Sequence, residues 1–140
     1  MTLTIKHGAS DATKDLRFTV PDQRTKNAHA NEIDATEAGA YGVSLAAIDE
    51  VSGLVAVRRT ETLTGADWYV APHGSTFDDL EDCLRLEVSG VSGGNSTDVQ
   101  RRLREKIAQT ERGQSNLPAI AAVVGFKALE VAISRLEEQP

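Results

Sequence analysis

The chain has 140 residues, of which 40% are hydrophobic, and this is a normal length for one domain with one hydrophobic core. Its formal net charge of -6 weighs against broad, sequence-independent affinity for nucleic acid, because phosphate binding depends on clustered Lys and Arg side chains. No segment approaches the roughly 20 apolar residues that span a bilayer, and the amino terminus lacks a signal-peptide pattern. We therefore expect a cytoplasmic protein with no membrane partner.

The N-terminal region, residues 1–27, contains two short segments with strand patterns. They are TLTIK at 2–6 and LRFTV at 16–20, and a polar turn with Gly and Asp separates them. The pattern predicts an N-terminal β arm or hairpin attached to a single domain that covers residues 28–140.

A helix followed by three strands is predicted in the first half of that domain. Apolar residues recur at helical spacing from about residue 28 to residue 50, and Gly53 supplies a stop. The segment 54–59 then reads as a short strand, followed by strands in TLTGADWYV at 62–70 and LRLEVSG at 84–90. Three strands in a row predict an antiparallel meander.

The second half of the domain reads as helix, strand, helix. Thr97 or Asp98 can cap a helix that ends near Gly113. The uninterrupted apolar run PAIAAVVGF at 118–126 is typical of a strand buried on both faces, and KALEVAISRLEE at 127–138 has the pattern of an amphipathic helix. The predicted fold is therefore α/β, with a mixed sheet sandwiched by helices in the order helix, three strands, helix, strand, helix.

Two carboxylates lie on the predicted second and third strands. In the second strand Asp67 shares one face with Tyr69, and in the third strand Glu87 shares one face with Arg85 and Ser89. If the strands are neighbours, the two carboxylates can converge. Such a pair is a hard oxygen site of the type that holds Mg²⁺ or Mn²⁺ for phosphoester chemistry.

The order of elements over roughly residues 32–126 resembles the core of the PD-(D/E)xK nuclease-like superfamily, also called restriction endonuclease-like. In that superfamily an acid on the first helix, an Asp on the second strand and an acid-x-Lys on the third strand form the metal site. The resemblance implies that Glu37, Asp67 and Glu87 are metal ligands, with the peptide carbonyl of Val88 as a further ligand. It also implies hydrolysis of nucleic acid phosphodiesters by metal-activated water.

This sequence departs from the family pattern at Ser89, which stands where the motif lysine is expected. A neutral hydroxyl cannot stabilise developing negative charge as a lysine does. Lys106 lies three residues after Leu103, on nearly the same side of the second helix, and is therefore the best candidate for a substitute. Phosphate contacts would come from Lys106 and from Arg101 and Arg104 on the same helix.

Each acid also has a structural interpretation. Glu37 can close an Asp-x-x-Glu capping box that begins at Asp34, and Glu32 is the reserve candidate for the helix acid. Asp67 can belong to a turn that contains Gly65.

Glu87, in turn, can pair with Arg85 on the same strand or with Arg58 across the sheet. These alternatives support a second hypothesis, in which the chain is a catalytically inactive domain of the same fold. Such a domain would bind a protein partner, or form a homodimer, as an assembly module.

Overall fold

The computed structural model describes residues 2–17, 23–24, 32–59, 68–75, 83–111 and 118–136. Seven strands of these residues form one sheet, with the spatial order β2-β1-β7-β6-β5-β4-β3. The elements in chain order are β1 (Thr2–His7), β2 (Ser10–Asp15), α1 (Glu32–Ser52), β3 (Leu54–Arg59), β4 (Trp68–Pro72), β5 (Leu84–Val91), α2 (Ser96–Glu111), β6 (Ala119–Gly125) and β7 (Glu130–Leu136).

The sheet is mixed, as the sequence predicts. Strands β3, β4 and β5 form the expected antiparallel meander, with a register shift between Ala56 and Arg58 in β3. Strand β6 runs parallel to β5, and α2 is the crossover between them. Strand β7 then returns antiparallel to β6. The α/β class is therefore confirmed.

Helix α1 covers one face of the sheet. Alternate residues of β5, Leu84, Leu86 and Val88, are buried on this face in a core that also contains Ala40 and Ile48 of the helix. Full burial of each large aliphatic side chain contributes about 1.5–3 kcal/mol, so this layer contributes substantially to stability. The helix ends where the sequence predicts: Gly53 has a φ of 65°, and its N–H donates to the carbonyl of Asp49 at 2.9 Å.

Helix α2 covers the opposite face. Val99 and Leu103 pack there against Ala121, Val123 and Ala132 of β6 and β7. Small alanines on the strands leave space for the larger helix side chains, so the helix lies close to the sheet. Each face of the sheet thus carries one helix.

The start of α2 differs slightly from the predicted cap at Thr97 or Asp98. The helix begins at Ser96, and the residue before it, Asn95, accepts a hydrogen bond from the N–H of Asp98 at 3.2 Å. In return, a carboxylate oxygen of Asp98 accepts from the N–H of Asn95 at 2.9 Å. This reciprocal arrangement is a capping box, and it satisfies two backbone donors at the helix start. The hydrogen bond from Asn95, with a smaller contribution from Arg101, lowers the pKa of Asp98.

The prediction of a C-terminal helix at 127–138 is wrong, because residues Glu130–Leu136 form strand β7. The four residues 126–129 make a tight turn after β6, and the chain then pairs along the whole length of β6. Val131 and Ile133 point into the α1 core, whereas Ala132 lies against α2. Burial on both faces makes a strand the better state for these β-branched residues.

The N-terminal hairpin also differs from an appended arm. Strand β1 pairs antiparallel with β2 and parallel with β7, so the hairpin extends the main sheet. The predicted second strand at 16–20 is replaced by β2 at Ser10–Asp15, and residues 18–20 lie outside the described residues.

A polar cluster around the buried carboxylate of Glu130 connects β1, β7 and α2. Lys6 Nζ lies 2.8 Å from a carboxylate oxygen of Glu130, and the Ser96 hydroxyl donates to the same carboxylate at 2.9 Å. The hydrogen bond to Glu130 and the charge of that carboxylate raise the pKa of Lys6 above its usual 10.5.

Within the part of the chain described, no helix is long and apolar enough to cross a membrane.

Candidate functional site

The polar side of β5 faces α2, as the period-2 alternation predicts. Leu86 and Val88 belong to the α1 core, so Arg85, Glu87 and Ser89 point to the other face. Arg85 and Glu87 are both buried, with 5% and 3% of their surface exposed. A central strand therefore carries ionisable groups where the neighbouring strand β6 carries only small apolar ones.

Lys106 of α2 lies within ion-pair distance of Glu87. Its Nζ lies 3.8 Å from Glu87 Oε2, and the side chains are 17% and 5% exposed. An ionised carboxylate is costly to bury without a partner, and the ammonium offsets that cost. The predicted orientation of Lys106, on the Leu103 side of the helix, is confirmed by this contact.

Arg102 makes a similar contact with Ser89, which is the next residue after Glu87 on the polar face of β5. Its Nη1 donates to the Ser89 hydroxyl at 3.3 Å, and its Nε lies 3.4 Å from Glu105. Arg102 and Lys106 are four residues apart on α2, and Ser89 and Glu87 are two apart on β5. Helix and strand thus place one cation at each of two successive positions on the polar face of β5.

Arg102 is not among the residues that the sequence predicts to contact phosphate. Its spacing of four from Lys106 is the signal that could have identified it, because residues at i and i+4 lie on the same side of a helix. The residues that were predicted to bind phosphate differ in setting: Arg101 pairs with Asp98 at 2.6 Å, and Arg104 is exposed. On the exposed side of α2, Arg101 and Arg102 are thus paired with acids of the same helix, and Arg104 is exposed.

Glu37 lies in the first half of α1, and its side chain is outside the described residues. The adjacent backbone crosses the end of β5 closely. A Cβ on Gly90 would lie 3.0 Å from the carbonyl oxygen of Thr36 and 3.2 Å from the Cβ of Ala40. This segment of α1 therefore passes over β5 three residues beyond Glu87. Because α1 already begins at Glu32, the alternative cap residue Asp34 lies inside the helix rather than at its N-cap.

Asp67 lies outside the described residues. The residue after it, Trp68, begins β4 and is paired with Leu86, which directly precedes Glu87. Trp68 and Leu86, the paired residues, are thus the sequence neighbours of the two predicted ligands Asp67 and Glu87. The side chain of Val88 faces the α1 core and is buried.

Of the two arginines that the sequence offered as partners for Glu87, Arg58 makes a different contact. Its guanidinium lies over the ring of Tyr69, 5.4 Å from the centroid, in a cation–π arrangement. Arg85 shares the buried face with Glu87.

The donor type at this site suits a hard divalent cation, but the described residues supply only part of a ligand set. Carboxylate oxygen is the ligand that Mg²⁺ and Mn²⁺ prefer, and Glu87 provides it in a buried position. Among the residues placed by the structure, no three His, Cys, Asp or Glu side chains are close enough together to hold a metal ion. Glu87 fits the role of one ligand, and Asp67 and the carbonyl of Val88 are further predicted ligands. Glu37 is on α1, which covers the face of the sheet opposite to Glu87 and α2.

No protein-family model matches the chain, and no curated protein or solved structure is significantly similar to it.

Proposed function

We propose that the chain is a Mg²⁺- or Mn²⁺-dependent nuclease domain that hydrolyses phosphodiesters of nucleic acid. The observation that carries the proposal is the arrangement of Glu87, Lys106, Ser89 and Arg102 on the polar face of β5. A buried carboxylate with two nearby cations is suited to a reaction in which negative charge develops on phosphate oxygens.

The order of elements supports the same proposal. Helix α1, the antiparallel strands β3, β4 and β5, the crossover helix α2 and strand β6 follow one another in the order that the PD-(D/E)xK resemblance implies. Glu87 lies on the third of these strands, which is the position of the acid in the acid-x-Lys motif. We include membership of that superfamily in the proposal.

In this proposal each residue has a separate role. Glu87, Asp67 and Glu37 would hold the ion with the Val88 carbonyl, and Lys106 would take the place of the motif lysine. A bound divalent ion supplies Lewis acidity, which lowers the pKa of water and offsets charge on the phosphate. Arg102 contacts the phosphate, and Arg101 and Arg104 hold the nucleic acid backbone along the exposed side of α2. Because contacts between these arginines and phosphates release counterions, binding through this surface should weaken with salt.

The first test of the proposal is a calorimetric Mn²⁺ titration of the wild type beside a Glu87→Gln variant. Glu105→Gln is the matched control, because it makes the same change in charge as Glu87→Gln but at an exposed carboxylate of α2. Binding by the wild type and the control, with loss in Glu87→Gln, supports the site. The same three proteins are then assayed on single- and double-stranded DNA and RNA.

Equal Mn²⁺ binding by all three proteins, or no binding at millimolar Mn²⁺, would contradict the metal site. A positional exchange tests the role of Lys106. Lys106→Met should abolish cleavage, and adding Ser89→Lys to that variant should restore part of it.

One observation favours a second function, a catalytically inactive domain that serves as a protein-binding or assembly module. The Lys106 ammonium already lies near Glu87. The position of the motif lysine, two residues further along β5, is occupied by the neutral Ser89. Under this alternative the ion pair between Glu87 and Lys106 is structural, and Mn²⁺ does not bind. Replacing both residues with apolar side chains that pack closely against each other then leaves binding of the protein partner intact.

A further inference from the structure

A cavity of about 340 Å³ lies between the β1–β2 hairpin and helix α1. Its volume is within the range of about 300–1,000 Å³ that is usual for small-molecule sites. The apolar residues of its lining come from both sides: Leu3 and Ile5 of β1, Leu16 directly after β2, and Val43, Ala46 and Ala47 of α1. The cavity is on the α1 side of the sheet, whereas Glu87 and α2 are on the other side.

The cavity follows from a difference in side-chain size between hairpin and helix. Leu3 and Ile5 of β1 belong to the core on the α1 side. The helix meets them with Val43, Ala46 and Ala47, which share one side because they are three and four residues apart. Two alanines do not fill the space opposite a leucine and an isoleucine, so a gap remains. Gaps with an apolar lining hold water poorly and bind apolar groups readily.

An ion pair lies beside the apolar lining and joins the hairpin to the helix. Lys14 is paired in register with Leu3, so it lies on the same face of the hairpin. Its Nζ is 2.7 Å from a carboxylate oxygen of Glu50, and both side chains are about half exposed, at 49% and 51%. Glu50 follows Ala46 by one helical turn and also lines the cavity. The cavity therefore has a positive and a negative group side by side at its solvent-facing end.

The third charged residue of the lining, Asp15, also has a cation close to it. Arg17 Nε lies 3.5 Å from Asp15 Oδ2. With Lys14 beside Glu50 and Arg17 beside Asp15, the charges around the cavity balance. A ligand with one charge would leave one of these groups in excess, whereas a ligand with both charges and no net charge would not.

We propose that this cavity binds a free apolar α-amino acid of the size of leucine or phenylalanine. The side chain of the ligand lies in the apolar lining, its carboxylate accepts from Lys14, and its ammonium donates to Glu50. The two ends of the ligand thus align with the opposite ends of the ion pair of the protein, through charge-assisted hydrogen bonds. This inference goes beyond the proposed nuclease function and does not depend on it.

The first test is calorimetric titration of the full-length wild type with L-phenylalanine at neutral pH. Two analogues, 3-phenylpropanoate and 2-phenylethylamine, keep the ring and lack the ammonium and the carboxylate, respectively. We expect each analogue to bind about ten-fold or more weakly than the amino acid, because each loses a charged hydrogen bond. Binding of either analogue as tight as that of L-phenylalanine would contradict recognition of both ends. No binding of L-phenylalanine or L-leucine at about 10 mM would overturn the proposal.

Two variants of α1 test whether the cavity is the site. Ala46→Leu adds a larger side chain to the lining and should weaken binding of L-phenylalanine by about ten-fold or more. Gly42→Ala is the matched control, because it lies one turn earlier on the same helix and its new Cβ would meet nothing within 4 Å. The control should bind as the wild type does. Equal binding by all three proteins would overturn the proposal.

A second measurement needs no variant. Backbone amide shifts of the wild type, recorded by NMR during titration with L-phenylalanine, should change most in β1 and in the second half of α1. Shift changes centred on α2, or spread evenly over the sheet, would place the ligand elsewhere and overturn the proposal.

Discussion

Loss of the Lys106 ammonium should destabilise the metal-free protein measurably. At 3.8 Å and an effective dielectric constant near 20, the attraction between Lys106 and Glu87 is about 4 kcal/mol. Because Lys106 is 17% exposed, water screens part of that attraction and also solvates the carboxylate once the lysine is gone. We expect Lys106→Met, which keeps most of the aliphatic stem, to lower the free energy of unfolding by about 2 kcal/mol.

Urea denaturation in EDTA, followed by circular dichroism, measures this change as a shift in midpoint at constant slope. Arg104→Met is the control, since it removes an exposed charge from the same helix and should cost less than about 0.5 kcal/mol. Adding Glu87→Gln to Lys106→Met should recover about 1 kcal/mol, because the buried negative charge is then removed together with the ammonium. A loss below about 0.5 kcal/mol in Lys106→Met, or no recovery in the double variant, would refute a stabilising buried pair.

Two further predictions concern stability away from the pair. Gly90→Ala should cost about 1–3 kcal/mol in urea denaturation. The new Cβ would lie 2.8 Å from Thr36 Cγ2 and 3.0 Å from its carbonyl oxygen, while a Cβ on the control Gly93 meets nothing within 4 Å. Equal stability of the two alanine variants would contradict close packing of α1 on β5. Asp98→Asn should be less stable than the wild type at neutral pH. The pKa of Asp98 is lowered in the folded protein, so the ionised carboxylate stabilises the fold and protonation removes that stabilisation. The difference in stability between the two proteins should therefore shrink below pH 3.8. A difference that grows on acidification would contradict the capping role.

The elements that sequence periodicity predicts well are those whose pattern matches only one kind of structure. The strand at 84–90 alternates polar and apolar residues, and the run at 118–126 is apolar throughout. Both are strands in the structure, and the alternation places Glu87 on the polar face. For such segments the local pattern and the tertiary environment agree.

The hydrophobic pattern of the β7 sequence fits both a helix and a strand. Leu129, Ala132, Ile133 and Leu136 follow helical spacing, while Val131 and Ile133 follow strand alternation. The outcome depends on neighbours that are distant in sequence, because β7 fills the place between β6 and β1. Tertiary pairing of this kind overrides local helix propensity.

The candidate site was predictable only in part for a related reason. Helical spacing indicates which residues of α2 share a side with Leu103, and this was enough to select Lys106. The contact between Arg102 and Ser89 depends on how α2 is rotated and shifted along β5, which packing of Val99 and Leu103 on the sheet decides. Sequence spacing within one helix does not contain that information.

The parallel pairing of β1 with β7 has a consequence for how the protein reaches its folded state. Thr4 is paired with Glu130, and the N–H of Thr4 donates to the carbonyl of Leu129, a residue with a φ of 54°. During synthesis on the ribosome, β1 must therefore remain without this partner until β7 has been made. The sheet is completed late, by a contact between distant parts of the chain that carries a large loop-closure entropy. Until then, the β1–β2 hairpin presents an open strand edge that is available to other chains.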